Sequence, residues 1–249
     1  MHSPRVFLVS AHWYFYEDPR ETAAACCQKI LEVLKETLAD RDRAALAVSG
    51  GTTPKLLFAD MAKSRFDWSR THLFWVDERG VPPTDAQSNY KLAKENFIDP
   101  AGFPAQNVHR IQAELDPQRA AQLYADEIRS FFSLGPGEFP SFDIIHQGMG
   151  PDAHTASLFP GEPLIDDREN LVAATYVEKM QQWRITLLPG LLLAARNTIM
   201  LVAGDDKAEP LDAVLTEPYN PQKYPAQIMT RSRGNVLWFV DKAAAREIR

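Results

Sequence analysis

Short apolar runs alternate along this chain with longer amphipathic ones. Arg5-Val6-Phe7-Leu8-Val9 predicts a first strand. Glu17 to Ala39 predicts a long helix, because Ile30, Leu31, Leu34 and Leu38 recur at helical spacing between Glu and Lys. Ala44 to Val48 predicts a second strand that runs straight into Ser49-Gly50-Gly51-Thr52-Thr53-Pro54. Pro54 suits the first turn of a helix, where its missing N–H costs nothing, and that helix extends to Ala62. Further strands are predicted at His72–Val76, Val108–Ile111, Phe142–His146, Leu171–Tyr176, Trp183–Leu187, Thr198–Ala203 and Val236–Val240. Helices are predicted at Asn89–Asn96, Pro117–Phe132, Pro189–Ala195 and Lys207–Leu215, with a helical turn after the glycine-rich stretch at 148–160 and a closing helix capped by Asp241. Strands alternating with helices predict an α/β, Rossmann-like, three-layer sandwich: a mostly parallel, twisted sheet with helices on both faces. No repeat or linker interrupts the pattern, so residues 1–249 are expected to form one domain.

Composition narrows the class. A formal net charge of -6 argues against a general nucleic-acid binder and means that an anionic substrate needs a local positive site. The two cysteines, Cys26 and Cys27, are adjacent within a helical run and read as small helix residues, with no disulfide framework. The apolar run Val6–Val9 is too short for a signal peptide or a membrane span, so the expected location is the cytoplasm. The histidines show no metal-ligand spacing, and no metal site is expected.

Four stretches carry candidate chemistry. Gly50, Gly51, Thr52 and Thr53 lie in a strand-to-helix turn, where backbone N–H groups, hydroxyls and a helix N-terminus suit a phosphate. A rival reading makes Ser49 the nucleophile of an elbow, since Ala47-Val48-Ser49-Gly50-Gly51 is one residue away from Gly-x-Ser-x-Gly. Asp77-Glu78-Arg79 follows an apolar strand and aims carboxylates and a guanidinium at a cleft, or is a solvated loop. Gly148-Met149-Gly150-Pro151-Asp152-Ala153-His154 leaves a strand end and offers an imidazole that titrates near neutral pH beside a carboxylate. His146, inside the apolar strand, reads as a packed core residue. Arg184 and Lys207 are two cations that face the glycine loop if their strands are neighbours, and are otherwise surface charges.

Together these stretches resemble the 6-phosphogluconolactonase family. The resemblance rests on Ser49–Pro54, Asp77–Pro82 with Ser88-Asn89-Tyr90, Gly148–Pro160, Arg184–Leu187, Gly204–Ala208 and Tyr224–Ala226, in that order across nearly the whole chain. It implies hydrolysis of 6-phospho-D-glucono-1,5-lactone, a small sugar-phosphate lactone, in the oxidative pentose phosphate pathway, without a cofactor. It implies His154 as the general base for water, Asp152 as its orienting partner, and Arg79 with backbone N–H groups as oxyanion donors, beside Asp77. It implies a 6-phosphate held by Gly50, Gly51, Thr52, Thr53, Arg184 and Lys207. Ala153 stands where the family usually has Gly, and alanine tolerates positive φ poorly. His146 and Gln147 stand where it has leucine or glycine. The related glucosamine-6-phosphate deaminases share the layout but carry Tyr in place of Arg79 and continue differently after His154. A non-catalytic sugar-phosphate sensor is the third reading. The sequence leaves the oligomeric state open.

Overall fold

The computed structural model describes residues 11–248. In chain order its elements are β1 (Ala11–Tyr16), α1 (Pro19–Asp40), β2 (Ala44–Val48), α2 (Thr52–Lys63), β3 (Thr71–Trp75), β4 (Asp77–Arg79), α3 (Asn89–Ala93), α4 (Asp99–Ala101), β5 (Val108–His109), α5 (Pro117–Phe132), β6 (Ile144–Gln147), β7 (Val172–Val177), β8 (Gln182–Leu187), α6 (Pro189–Leu192), β9 (Asn197–Val202), α7 (Ala208–Thr216) and β10 (Asn235–Asp241). The strand expected at Arg5–Val9 lies outside the described residues. The strand at Ala11–Tyr16 was not anticipated, because its four aromatic and histidine side chains mask any alternation.

Local chemistry accounts for the element boundaries. Asp18 caps α1 by accepting hydrogen bonds from the backbone N–H groups of Arg20 and Glu21, and Pro19 sits where no N–H is needed. The inward stripe of α1 is Cys26, Cys27, Ile30, Val33 and Leu34. Both thiols are free and buried, and burial first, then the charge of Asp60, pushes the Cys27 thiol up to about 12, so it is unreactive. Every residue of β2 is buried, as expected of a central strand covered on both faces.

Among the described residues, seven strands form one sheet in the order β1-β10-β9-β6-β2-β3-β5, and every neighbouring pair is parallel. The α/β expectation is borne out. All carboxyl ends of these strands therefore lie along one edge. The chain moves from β2 outward through β3 and β5, then returns to β6 on the other side of β2. The β2/β6 pair is thus the switch point, where open α/β sheets leave a crevice for ligands.

A second sheet, β4-β8-β7, is antiparallel and was not anticipated. Val76 joins the two: its N–H donates to Val48 O (2.9 Å) in the large sheet, and its carbonyl accepts from Leu187 N (2.8 Å) in the small one. Two further expectations fare differently. The helical turn expected after the 148–160 stretch is present as a 3-10 turn at Pro163–Asp166, and the loop before it turns, tied by Gly150 N to His154 O (2.8 Å) and Leu158 N to Thr155 O (3.0 Å). The chain after β10 also turns rather than forming a helix, because Asp241 spends its carboxylate on Ala244 N and on Gly204 N, across to the loop after β9.

Candidate active site

Three loops leave neighbouring strand ends at the carboxyl edge. The β2 loop carries Gly50 and Gly51, the β6 loop carries 148–154, and the β9 loop carries Gly204 and Lys207, with β6 in the middle.

In the β6 loop, His154 Nδ1 lies 2.5 Å from Asp152 Oδ1, and Lys179 Nζ donates to Asp152 Oδ2. Burial pushes the Asp152 carboxyl up, but the hydrogen bonds from His154 and Lys179 outweigh it and hold the group well below the ordinary carboxylate range. An ionised carboxylate can only accept, so the proton of the neutral imidazole sits on Nδ1 and leaves Nε2 as the basic nitrogen. The His154 ring rests on Gly150, where an added Cβ would stand 2.0 Å from its Nδ1, and it packs against the Phe159 ring at a centroid separation of 4.3 Å. Ala153 has φ +62° and Ala156 has φ +52°, so the loop adopts the left-handed turn without a glycine at either place. The loop is tied down by Ala226 N donating to Ala153 O (2.9 Å), and Thr155 Oγ1 lies 2.9 Å from Gly148 O.

The second sheet supplies positive charge. Asp77-Glu78-Arg79 is strand β4, not a solvated loop, because β8 pairs with it and sets Arg79 directly opposite Arg184. Arg184 is 7% exposed. Among the described residues neither guanidinium meets a carboxylate within salt-bridge distance. Arg79 donates to Gln87 O (2.6 Å), Gln87 and Gln182 are bonded to each other (2.8 Å), and Gln182 accepts from Arg184. Arg79 Nε is buried without a partner. Burial, and next the charge of Arg79, pushes the Arg184 guanidinium down, against the opposing pull of Asp77 and Glu78. Two adjacent cations of this kind are stabilised by an entering anion.

The carboxylates before Arg79 have structural partners. Glu78 is buried and accepts from the backbone N–H groups of Arg79, Asn89 and Tyr90 and from Ser88 Oγ, closing the N-terminus of α3. Asp77 accepts from Ser157 Oγ (2.7 Å), which couples β4 to the β6 loop. Asn89 donates to Asp77 O (2.9 Å), and its Oδ1 sits 1.8 Å from where a Cβ on Gly50 would be. Gly50 is therefore required by close packing, and Gly51, at φ +127°, by the turn into α2. No side chain caps α2, so its first N–H groups, at Thr52 and Thr53, are open to a ligand. Ser49 Oγ is buried and makes no hydrogen bond, so no base activates it as a nucleophile.

Arg184 and Lys207 are not on neighbouring strands: Arg184 is on β8 of the small sheet, and Lys207 lies in a turn after β9 of the large sheet, where it pairs with Asp206. Sequence reasoning missed Lys179, Ser157, Gln87 and Gln182. Lys179 sits in the β7–β8 turn, far from Asp152 in the chain, and its only sequence signal is a lone cation between two strands.

The α/β sheet carries at its switch point a carboxylate-oriented imidazole and an uncapped helix N-terminus, and the small sheet joined to it adds an unneutralised arginine pair. The chain belongs to the family of glucosamine-6-phosphate isomerases and 6-phosphogluconolactonase, whose profile matches residues 17–238. Among curated relatives it is 36% identical over 217 residues to the 6-phosphogluconolactonase of Synechocystis, covering 87% of this chain and 89% of that one. It is 38% identical over 205 residues to the 6-phosphogluconolactonase of Haemophilus influenzae, covering 81% and 86%. The solved 6-phosphogluconolactonase of Thermotoga maritima superposes with a TM-score of 0.81 at 30% identity, covering 93% of this chain and all of that one.

Proposed function

We propose that this protein is a 6-phosphogluconolactonase, which hydrolyses 6-phospho-D-glucono-1,5-lactone to 6-phospho-D-gluconate in the oxidative pentose phosphate pathway, and that it works in the cytoplasm. The observation that carries the mechanism is the His154–Asp152 pair at 2.5 Å at the switch point.

A δ-lactone is an activated ester, so water attacks its carbonyl without a covalent enzyme intermediate. His154 Nε2 takes a proton from that water, and Asp152 holds the ring and stabilises the imidazolium that forms. The tetrahedral oxyanion is met by Arg79 and backbone N–H groups. Collapse breaks the bond to the ring oxygen, to which His154 returns the proton; the new carboxyl group loses its own proton to solvent. The 6-phosphate is held by Gly50, Gly51, Thr52 and Thr53 at the α2 N-terminus, with Arg184 and Lys207 as cations. The cross-strand pairing of Arg79 and Arg184 supports a shared anion-binding role for both. Asp77 acts through Ser157, holding the β6 loop to β4.

The test is proton release from freshly generated lactone, with and without the protein, with a chelator control. The account predicts acceleration well above the spontaneous rate, unchanged by the chelator. It also predicts no ammonia release from glucosamine 6-phosphate. Ammonia release without lactone turnover would overturn it.

A further inference from the structure

A second pocket lies at the opposite edge of the large sheet. It has a volume of about 730 Å³, within the range of small-molecule sites. Its floor is Ala45, at the start of β2, and Asp143, just before β6. The β2 strand separates it from the Gly50 loop by about 15 Å at the usual rise per residue, so it is not part of the candidate active site.

Its walls differ in chemistry. One is aromatic and apolar: Phe131 and Phe132 at the end of α5, with Leu134. The other carries Arg41, Arg43 and Arg196. Arg43 lies over the Phe131 ring, 4.2 Å from its centroid, and donates to Phe131 O (2.7 Å). Arg41 donates to Asp143 Oδ1 (2.9 Å), and Arg196 Nε lies 3.4 Å from the same oxygen. Asp143 Oδ2 accepts from Ala45 N (2.9 Å), so the buried carboxylate is already engaged and fixes two of the arginines.

A guanidinium offers five N–H donors, and the contacts above engage one on each arginine. Against three arginines the pocket sets Asp42 and Asp143, which leaves a local positive excess in a chain of net charge -6. The C-terminal ends of α1 and α5 abut this edge; their partial negative charge explains part of the arginine demand. It does not explain an open pocket of this size that sets spare guanidinium N–H groups beside the Phe132 and Leu134 side chains.

We propose that this pocket binds a small phosphorylated molecule with a planar apolar body, a nucleoside monophosphate in chemical class. The phosphate would meet the spare N–H groups of Arg43 and Arg196, and the planar body would pack against Phe132 and Leu134, because Arg43 already covers the Phe131 ring.

The experiment is calorimetric titration of the full chain with adenosine 5′-monophosphate and, separately, with inorganic phosphate. Arg43→Ala, Arg196→Ala and Arg184→Ala serve as variants; Arg43 and Arg196 are at the surface, so these changes leave the core intact. The proposal predicts saturable nucleotide binding with a Kd at or below about 1 mM, weakened about tenfold or more by either pocket variant. It predicts binding unaffected by Arg184→Ala and much weaker binding of phosphate alone. No saturable binding would overturn it. So would binding lost only with Arg184→Ala, which would place the nucleotide at the catalytic edge, or equal affinity for inorganic phosphate, which would leave the aromatic wall without a role.

Discussion

At Ala153 the β6 loop carries a methyl group in a left-handed conformation, φ +62°, and the residue is fully buried. An L residue there costs about 1–2 kcal/mol relative to the right-handed region. The sequence showed the alanine as a departure and could not show that the backbone would keep the turn. The turn persists because its surroundings fix it: Gly150 N bonds to His154 O, Ala226 N bonds to Ala153 O, and Asp152 accepts from the His154 backbone and ring. Strain held in this way is common where a catalytic side chain must be aimed. Ala153→Gly is expected to raise stability by about 1 kcal/mol while keeping lactone turnover, as read by urea denaturation and the hydrolysis assay. The residues of this loop were legible in the sequence because glycines, an Asp and a His follow a strand within a few positions. Lys179 was not, since no local pattern connects it to Asp152.

At the scale of elements, the second sheet decides the site. Asp77-Glu78-Arg79 reads as a loop in isolation because three charges defy strand patterning. It becomes a strand only through β8, roughly a hundred residues further on by number, whose Arg184 faces Arg79. Long-range pairing of this kind overrides local propensity. The β7–β8 turn then brings Lys179 onto the Phe159 ring, 4.4 Å away, and onto Asp152. This hairpin therefore completes the imidazole's support from a separate element. Lys179→Met is expected to lower kcat about tenfold, the worth of one charge-assisted hydrogen bond, and Lys179→Arg to restore most of it. A loss of folding with no change in kcat per folded molecule would show that the lysine serves the hairpin alone.

At the scale of the whole molecule, the parallel sheet was legible because its central strands are apolar runs bounded by glycine turns. One buried residue shapes its response to acid. His146 is fully buried in β6, and both ring nitrogens lack partners. Burial lowers its pKa to about 3, so the folded protein keeps it neutral while the unfolded chain protonates it near the ordinary value of 6.5. Above pH 6.5 the ring is neutral in both states, so its burial adds no pH dependence there. As pH falls from there towards 3 the unfolded state binds the extra proton, and stability drops by up to about 1.4 kcal/mol per pH unit. His146→Leu is expected to flatten this loss and to keep activity, checked by urea midpoints at pH 7 and pH 5. The central claim is narrower: water is activated by His154 at the carboxyl edge. The direct measurement is kcat for lactone hydrolysis by His154→Ala, with its thermal midpoint compared with that of the unaltered protein. The account predicts kcat lower by about a hundredfold or more, with the thermal midpoint nearly unchanged. A folded variant that retains the full kcat would contradict it.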